Sequence, residues 1–194
     1  MTIKTGTIKK IPKHLIYEMD EGVPIYYKGY KEYLNGNQNF EQTMPDSNLQ
    51  AWLKGRLYLF ISLLFQKNKN IVVTVGEQGL SLKKRSWRGA DIAIFKKSNF
   101  DLVPEYSKKP PEVVIEINIK GDYDSDEKML RDYERKNAQL LEFGVKKIIW
   151  IFTETQFIVS VTNEGKKNYE WNDDVPVFKD ISFNVQKVVD SFYE

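Results

Sequence analysis

Residues Pro110 to Lys120 read PPEVVIEINIK, a run rich in β-branched residues with a carboxylate, Glu116, among them. Val113, Ile115, Ile117 and Ile119 alternate on one face of a strand; Val114, Glu116, Asn118 and Lys120 fall on the other. A lone carboxylate in a core costs several kcal/mol even after relaxation. Glu116 therefore needs a cationic partner, a metal ion or contact with water. The stretch predicts a buried sheet and, at its centre, a chemical reason for charge.

Working outward, SNLQAWLKGRLYLFISLLF places Leu49, Trp52, Leu53, Leu57, Phe60 and Leu64 at helical spacing, with Asp46 and Ser47 as cap candidates. NIVVTVGEQGLSL reads as two strands across Gly76 and Gly79, and GADIAIF as a third. After the opening strand, DSDEKMLRDYERKNAQLLEFG reads as a helix, with Asp124 and Glu127 resembling a capping box and Gly144 as its stop. VKKIIWIF and TQFIVSV are strands, another runs through Tyr169 and Trp171, and a short helix closes the chain. The order predicts an α/β (α+β) fold, a mixed sheet flanked by helices. Residues 1–25 read as an irregular arm with short strands, and 26–194 as one domain.

Composition excludes several chemistries. The 194-residue chain has no Cys, which removes disulfides, thiolate metal sites and cysteine nucleophiles. Its single His, His14, argues against a Ser-His-Asp triad or a multi-His zinc site. Any metal must be held by oxygen. A net charge of +2 allows nucleic acid without demanding it. MTIKTGTIKK has no apolar signal core and no run is long enough to span a bilayer, so a soluble cytoplasmic protein with no membrane partner is expected.

A second carboxylate, Asp91, sits among apolar residues in RGADIAIF. Two acids on neighbouring strands, with a backbone carbonyl and waters, suit Mg²⁺. Such an ion activates water and stabilises charge developing on a phosphate. A nearby lysine would orient the nucleophile or neutralise the transition state. Two residues after Glu116 stands Asn118, leaving Lys120, Lys128 and Lys136. Lys120 lies roughly 13 Å along an extended strand at about 3.3 Å per residue. Lys128 has Arg131, Asp132 and Arg135 as helical neighbours, a solvated face. Lys136 projects from the stripe Met129, Tyr133, Leu140, Phe143, either to reach the acids or to pair with Asp132 one turn back. Glu41 and Glu77 lie beside turns and read as surface acids, the alternative being that they approach Asp91 and Glu116. Trp87, in KKRSWRG, marks either a phosphate grip or a solvated hairpin end.

ADIAIF, PPEVVIEI and a Lys eight residues before Gly144-Val145 occur in this order. Together with the upstream YYKGYKEYLNG and MPDSNLQAWL, they resemble the bacterial restriction-endonuclease family often called the Uma family, over roughly residues 24–160. That family belongs to the PD-(D/E)xK nuclease superfamily. The resemblance implies a restriction-endonuclease-like core and an Mg²⁺- or Mn²⁺-dependent endonuclease acting on DNA. Asp91 and Glu116 would hold the metal with the Ile117 carbonyl, and Lys136 would serve as a catalytic lysine moved from strand to helix. Two features depart from the pattern: Gln50 stands where many members have a His, and EINIKG replaces Glu-Val-x-Ser-Pro. The alternative is a catalytically degraded nuclease fold serving as a nucleic-acid-binding or protein-interaction module. Nucleases of this kind often pair, and the apolar content of residues 157–171 leaves room for a homodimer.

Overall fold

In the computed structural model, which describes residues 11–39, 46–178 and 181–193, the decisive stretch forms β7 (Val113–Ile117), buried at all five positions. Glu41 lies outside the described residues. β7 sits inside a six-stranded sheet whose order is β10 (Gly165–Glu170), β9 (Phe157–Thr162), β8 (Lys147–Phe152), β7, β6 (Ile92–Lys96), β3 (Ile71–Val75). Only β7 and β8 run parallel; the other neighbours are antiparallel. A parallel pair needs a long crossover, which α3 (Asp126–Phe143) supplies.

Both faces of the sheet are covered, which is why β7 reads as a nearly continuous apolar run. Ile92, Ile94, Val113, Ile115, Ile117, Ile149 and Ile151 pack with Leu53, Leu57 and Ile61 of α2 (Asn48–Leu64). Ala93, Phe95, Val114, Ile148 and Trp150 pack with Tyr133 and Leu140 of α3. β11 (Val175–Phe178), β12 (Ile181–Phe183) and α4 (Val185–Asp190) complete the α2 side. The hairpin of β11 and β12 was not visible in the periodicity.

Of the apolar set expected to face inward on α2, Leu53 and Leu57 do so and Leu49, Phe60 and Leu64 do not. Leu53, Lys54, Leu57 and Ile61 are buried, whereas Leu49, Leu59, Phe60, Leu63 and Leu64 are exposed. Ser47 caps it through a capping box with Gln50, whose side-chain oxygen accepts the Ser47 N–H at 2.9 Å. That bond accounts for Gln50. α3 is capped by Ser125 rather than Asp124, whose carboxylate pairs with Lys31 and Lys128 instead. Gly144 ends α3 with φ 116°, a conformation that glycine adopts without Cβ strain.

A second, four-stranded sheet has the order β2 (Val23–Tyr26), β1 (Ile16–Asp20), β5 (Ser86–Arg88), β4 (Leu80–Lys83). KKRSWRG is therefore a turn leading into a strand, and the N-terminal hairpin docks on it through Met19 and Trp87. A five-residue helix, α1 (Tyr30–Leu34), precedes α2. The apolar surface expected over 157–171 is absent: Ile158, Val159, Val161 and Trp171 are buried, and β10 exposes Lys166, Lys167, Asn168 and Glu170. Among the described residues no helix is long and apolar enough to cross a membrane.

Candidate active site

β6 and β7 pair with Ile92 opposite Ile115, so continuing that register by one residue sets Asp91 opposite Glu116. Asp91 is pinned across the strands. Its Oδ2 accepts the Ile117 N–H at 2.9 Å, and its backbone carbonyl accepts the Gly76 N–H at 2.9 Å. Glu116 faces α3, from which Lys136 extends to place Nζ 3.0 Å from Glu116 Oε1. Asp91, Glu116 and Lys136 are 3%, 1% and 2% exposed. The side chain of Asp132 goes elsewhere, to Arg88. The inward position of Lys136 on the α3 stripe thus brings it to Glu116.

Lys136 has a second acid that the sequence reading did not include. Glu18, on β1, accepts from Lys136 Nζ at 2.7 Å and from the Gly89 N–H at 2.9 Å, and its other oxygen accepts from Arg88 at 2.8 Å. The ammonium also lies over the rings of Trp150 and Tyr17, at 5.3 and 5.6 Å from their centroids. Burial pulls Lys136 down, but Glu116 and Glu18 outweigh it and hold the ammonium above the ordinary lysine range. Glu116 moves the other way. Burial, with Asp91 and Glu18 adding to it, pushes its carboxyl up to about 8 against the opposing pull of Lys136.

The other two lysine candidates separate cleanly. Lys128 is exposed and pairs with Asp124 at 2.8 Å. Lys120 is in the site, because the strand does not continue as an extended chain. β7 ends at Ile117, and Asn118 adopts φ 60°, a left-handed conformation that asparagine tolerates. Its amide clamps Thr153: Nδ2 donates to Oγ1 and Oδ1 accepts the backbone N–H, both at 2.8 Å. The chain turns back and Lys120 Nζ reaches Asp91 Oδ1 at 2.9 Å and Asp46 Oδ1 at 2.9 Å. Lys54 from α2 joins them, 2.8 Å from Asp91 Oδ1 and paired with Asp46. Asn118→Ala removes the tolerance and both bonds, so it should lower stability by about 2–3 kcal/mol in urea titration; a change below 0.5 kcal/mol would show that the turn holds without the clamp.

Glu77 stands at the edge of this group, 3.4 Å from Lys120 and accepting from Tyr27 at 2.5 Å. The basic cluster around Trp87 does not form a phosphate grip as a unit. Arg88 is fully buried, Lys83 pairs with Glu21 at 2.8 Å, and Trp87 packs against Tyr106.

Residues 29–170 match a family model described as "Uma2: Putative restriction endonuclease". The chain belongs to the Uma2 family. Its fold is similar to the crystal structure of a "putative nuclease belonging to DUF820" from Anabaena variabilis, with a TM-score of 0.63 over 89% of each chain at 14% identity. No curated protein matches the sequence. The mixed sheet with flanking helices is therefore a nuclease-like fold, shared despite low identity.

In this Uma2 chain the described residues contain no group of three or more Asp, Glu, His or Cys side chains arranged to hold a metal. Asp91 and Glu116, close enough for the charge of one to act on the other, have the chemistry of hard-cation donors. Asp91 and Glu116 offer oxygen only, and Mg²⁺ is commonly held by one or two carboxylates plus water and phosphate. Glu116 Oε1 is buried with the Lys136 ammonium, 3.0 Å away, as its one close cation. A buried acceptor of this kind is suited to a ligand.

Proposed function

We propose that this Uma2 protein is a divalent-metal-dependent endonuclease hydrolysing DNA phosphodiester bonds. The observation that supports it most is the β6–β7 register, which carried one residue on sets Asp91 level with Glu116, with the Lys136 ammonium 3.0 Å from Glu116. Asp91 and Glu116 would hold Mg²⁺ or Mn²⁺, with the Ile117 carbonyl as a further oxygen. Bound there, the ion supplies Lewis-acid polarisation of a phosphoryl oxygen and a more acidic water.

The protein's own groups supply position. Lys136 is fixed by Glu18 and two aromatic faces, so its charge needs no rearrangement to meet the anionic phosphorane. Lys120 and Lys54 bring two further cations to Asp91. Their contacts also favour a second reading, a nuclease fold that binds nucleic acid without cutting. Asp91 Oδ1 already receives two ammoniums, which a metal must displace.

Supercoiled plasmid and linear DNA incubated with the protein separate the two. The expected result is nicked and linear product with Mg²⁺ or Mn²⁺ and none with EDTA. Binding without cutting under every metal overturns the enzyme and leaves the module.

A further inference from the structure

We infer that the site is built to receive one unpaired nucleotide at a time, so that the substrate is single-stranded DNA in preference to intact duplex. The inference rests on the nuclease reading for the location of the scissile phosphate. Access is the first argument. Asp91, Glu116 and Lys136 are at most 3% exposed; Lys120, 2.9 Å from Asp91, lines with Asp46 a cleft of about 540 Å³ beside Asp91. Pockets of roughly 300–1,000 Å³ hold a single small ligand. A nucleotide enters such a space; a paired helix does not.

The lining supplies the second argument. Lys28 and Lys120 stand on adjacent backbone segments: the Lys28 N–H donates to the Lys120 carbonyl at 3.0 Å, beside the Tyr27–Gly121 bridge. Lys120 is already held by Asp46, Asp91 and Glu77, which leaves Lys28 as the cation of this wall open to a phosphate, with Asp46 and Glu154 the acids of the same cleft. Half-buried Phe152 and Met129 line it as well, an apolar surface for a base. A cation beside an aromatic ring is the recognition chemistry of single strands.

Charge on the neighbouring surface argues against a docked duplex, which needs an extended row of free cations. Lys31, Lys128, Arg131 and Arg135 are each neutralised by carboxylates. Lys28, by contrast, is exposed and makes no ion pair among the described residues.

Fluorescence anisotropy tests this, with a labelled 15-nucleotide single strand and the same sequence as a duplex, in EDTA so that nothing is cut. The intact protein should bind the single strand about tenfold more tightly. Lys28→Ala, at an exposed position that leaves folding alone, should weaken single-strand binding and reduce the slope of log affinity against log salt by about 0.7, the loss of one phosphate contact. Duplex binding as tight as single-strand binding overturns the inference, as does an unchanged salt slope in Lys28→Ala. A single-strand preference without cleavage on adding Mg²⁺ refutes the nuclease reading while the cleft assignment stands. Duplex cleavage with no single-strand preference does the reverse.

Discussion

Glu116→Gln is expected to cut DNA about a thousandfold more slowly than the parent and, at pH 8, to be more stable than it by a few kcal/mol. Both effects come from one buried carboxyl. Burial, reinforced by Asp91 and Glu18 and opposed by Lys136, raises it from an ordinary 4.5 to about 8. A raised acid stabilises the fold while protonated. Its contribution is complete below about pH 4.5 and is lost as pH rises towards 8, because over that window the unfolded chain has released the proton and the folded chain still holds it. Gln has the shape of the protonated acid and no proton to lose. The gap between variant and parent should therefore be near zero at pH 4.5 and widen through pH 6 to pH 8.

Urea titrations of both proteins at those three pH values measure it. A Gln variant less stable than the parent at pH 8, or a gap that ignores pH, would show that Glu116 carries no desolvation cost. A residue that weakens its own fold and whose removal ends cleavage is held for chemistry, the usual opposition of stability and activity.

How much of this was legible depends on which signal each residue carried. The apolar alternation of β6, β7 and β8 and the 3.6-residue stripe of α3 are strong signals, and they locate the mixed sheet, the helix that follows β7 and the inward Lys136. Lys120 was misplaced because the reading assumed an extended chain through Asn118; the left-handed turn there depends on its tertiary clamp to Thr153. Lys54 was missed, although the same argument that singles out Lys136 applies to it: Lys54, Leu57 and Ile61 share one face of α2. The apolar set read from the spacing mixed the buried Leu53 and Leu57 with the exposed Leu49, Phe60 and Leu64, which blurred the face that Lys54 shares. Glu18 carried a weaker signal. In Leu15–Asp20 it alternates with Tyr17 and Met19 like any surface residue of a hairpin, and only the docking of β1 beside β5 and α3 buries it.

Arg88→Leu is expected to cost about 3–5 kcal/mol and to lower the melting temperature by about 10 °C. The guanidinium is fully buried and holds three elements together. Nε donates to Gln139 at 2.9 Å, and the two terminal nitrogens donate to Glu18 at 2.8 Å and to Asp132 at 3.1 and 3.3 Å. Most of the loss is not the missing attraction. Glu18 and Asp132 would be left facing each other with little solvent to screen them. Removing one of those acids together with the arginine should therefore recover part of the loss: Arg88→Leu with Asp132→Leu should regain about 2 kcal/mol over the single variant. Simple additivity of the two substitutions would show that the pair is not coupled. Arg88 also fixes Glu18, and Glu18 fixes Lys136. DNA cleavage by Arg88→Leu, assayed well below its melting temperature so that the chain is folded, should still fall about tenfold. A variant destabilised as expected but cutting at the parent's rate would confine Arg88 to holding the fold.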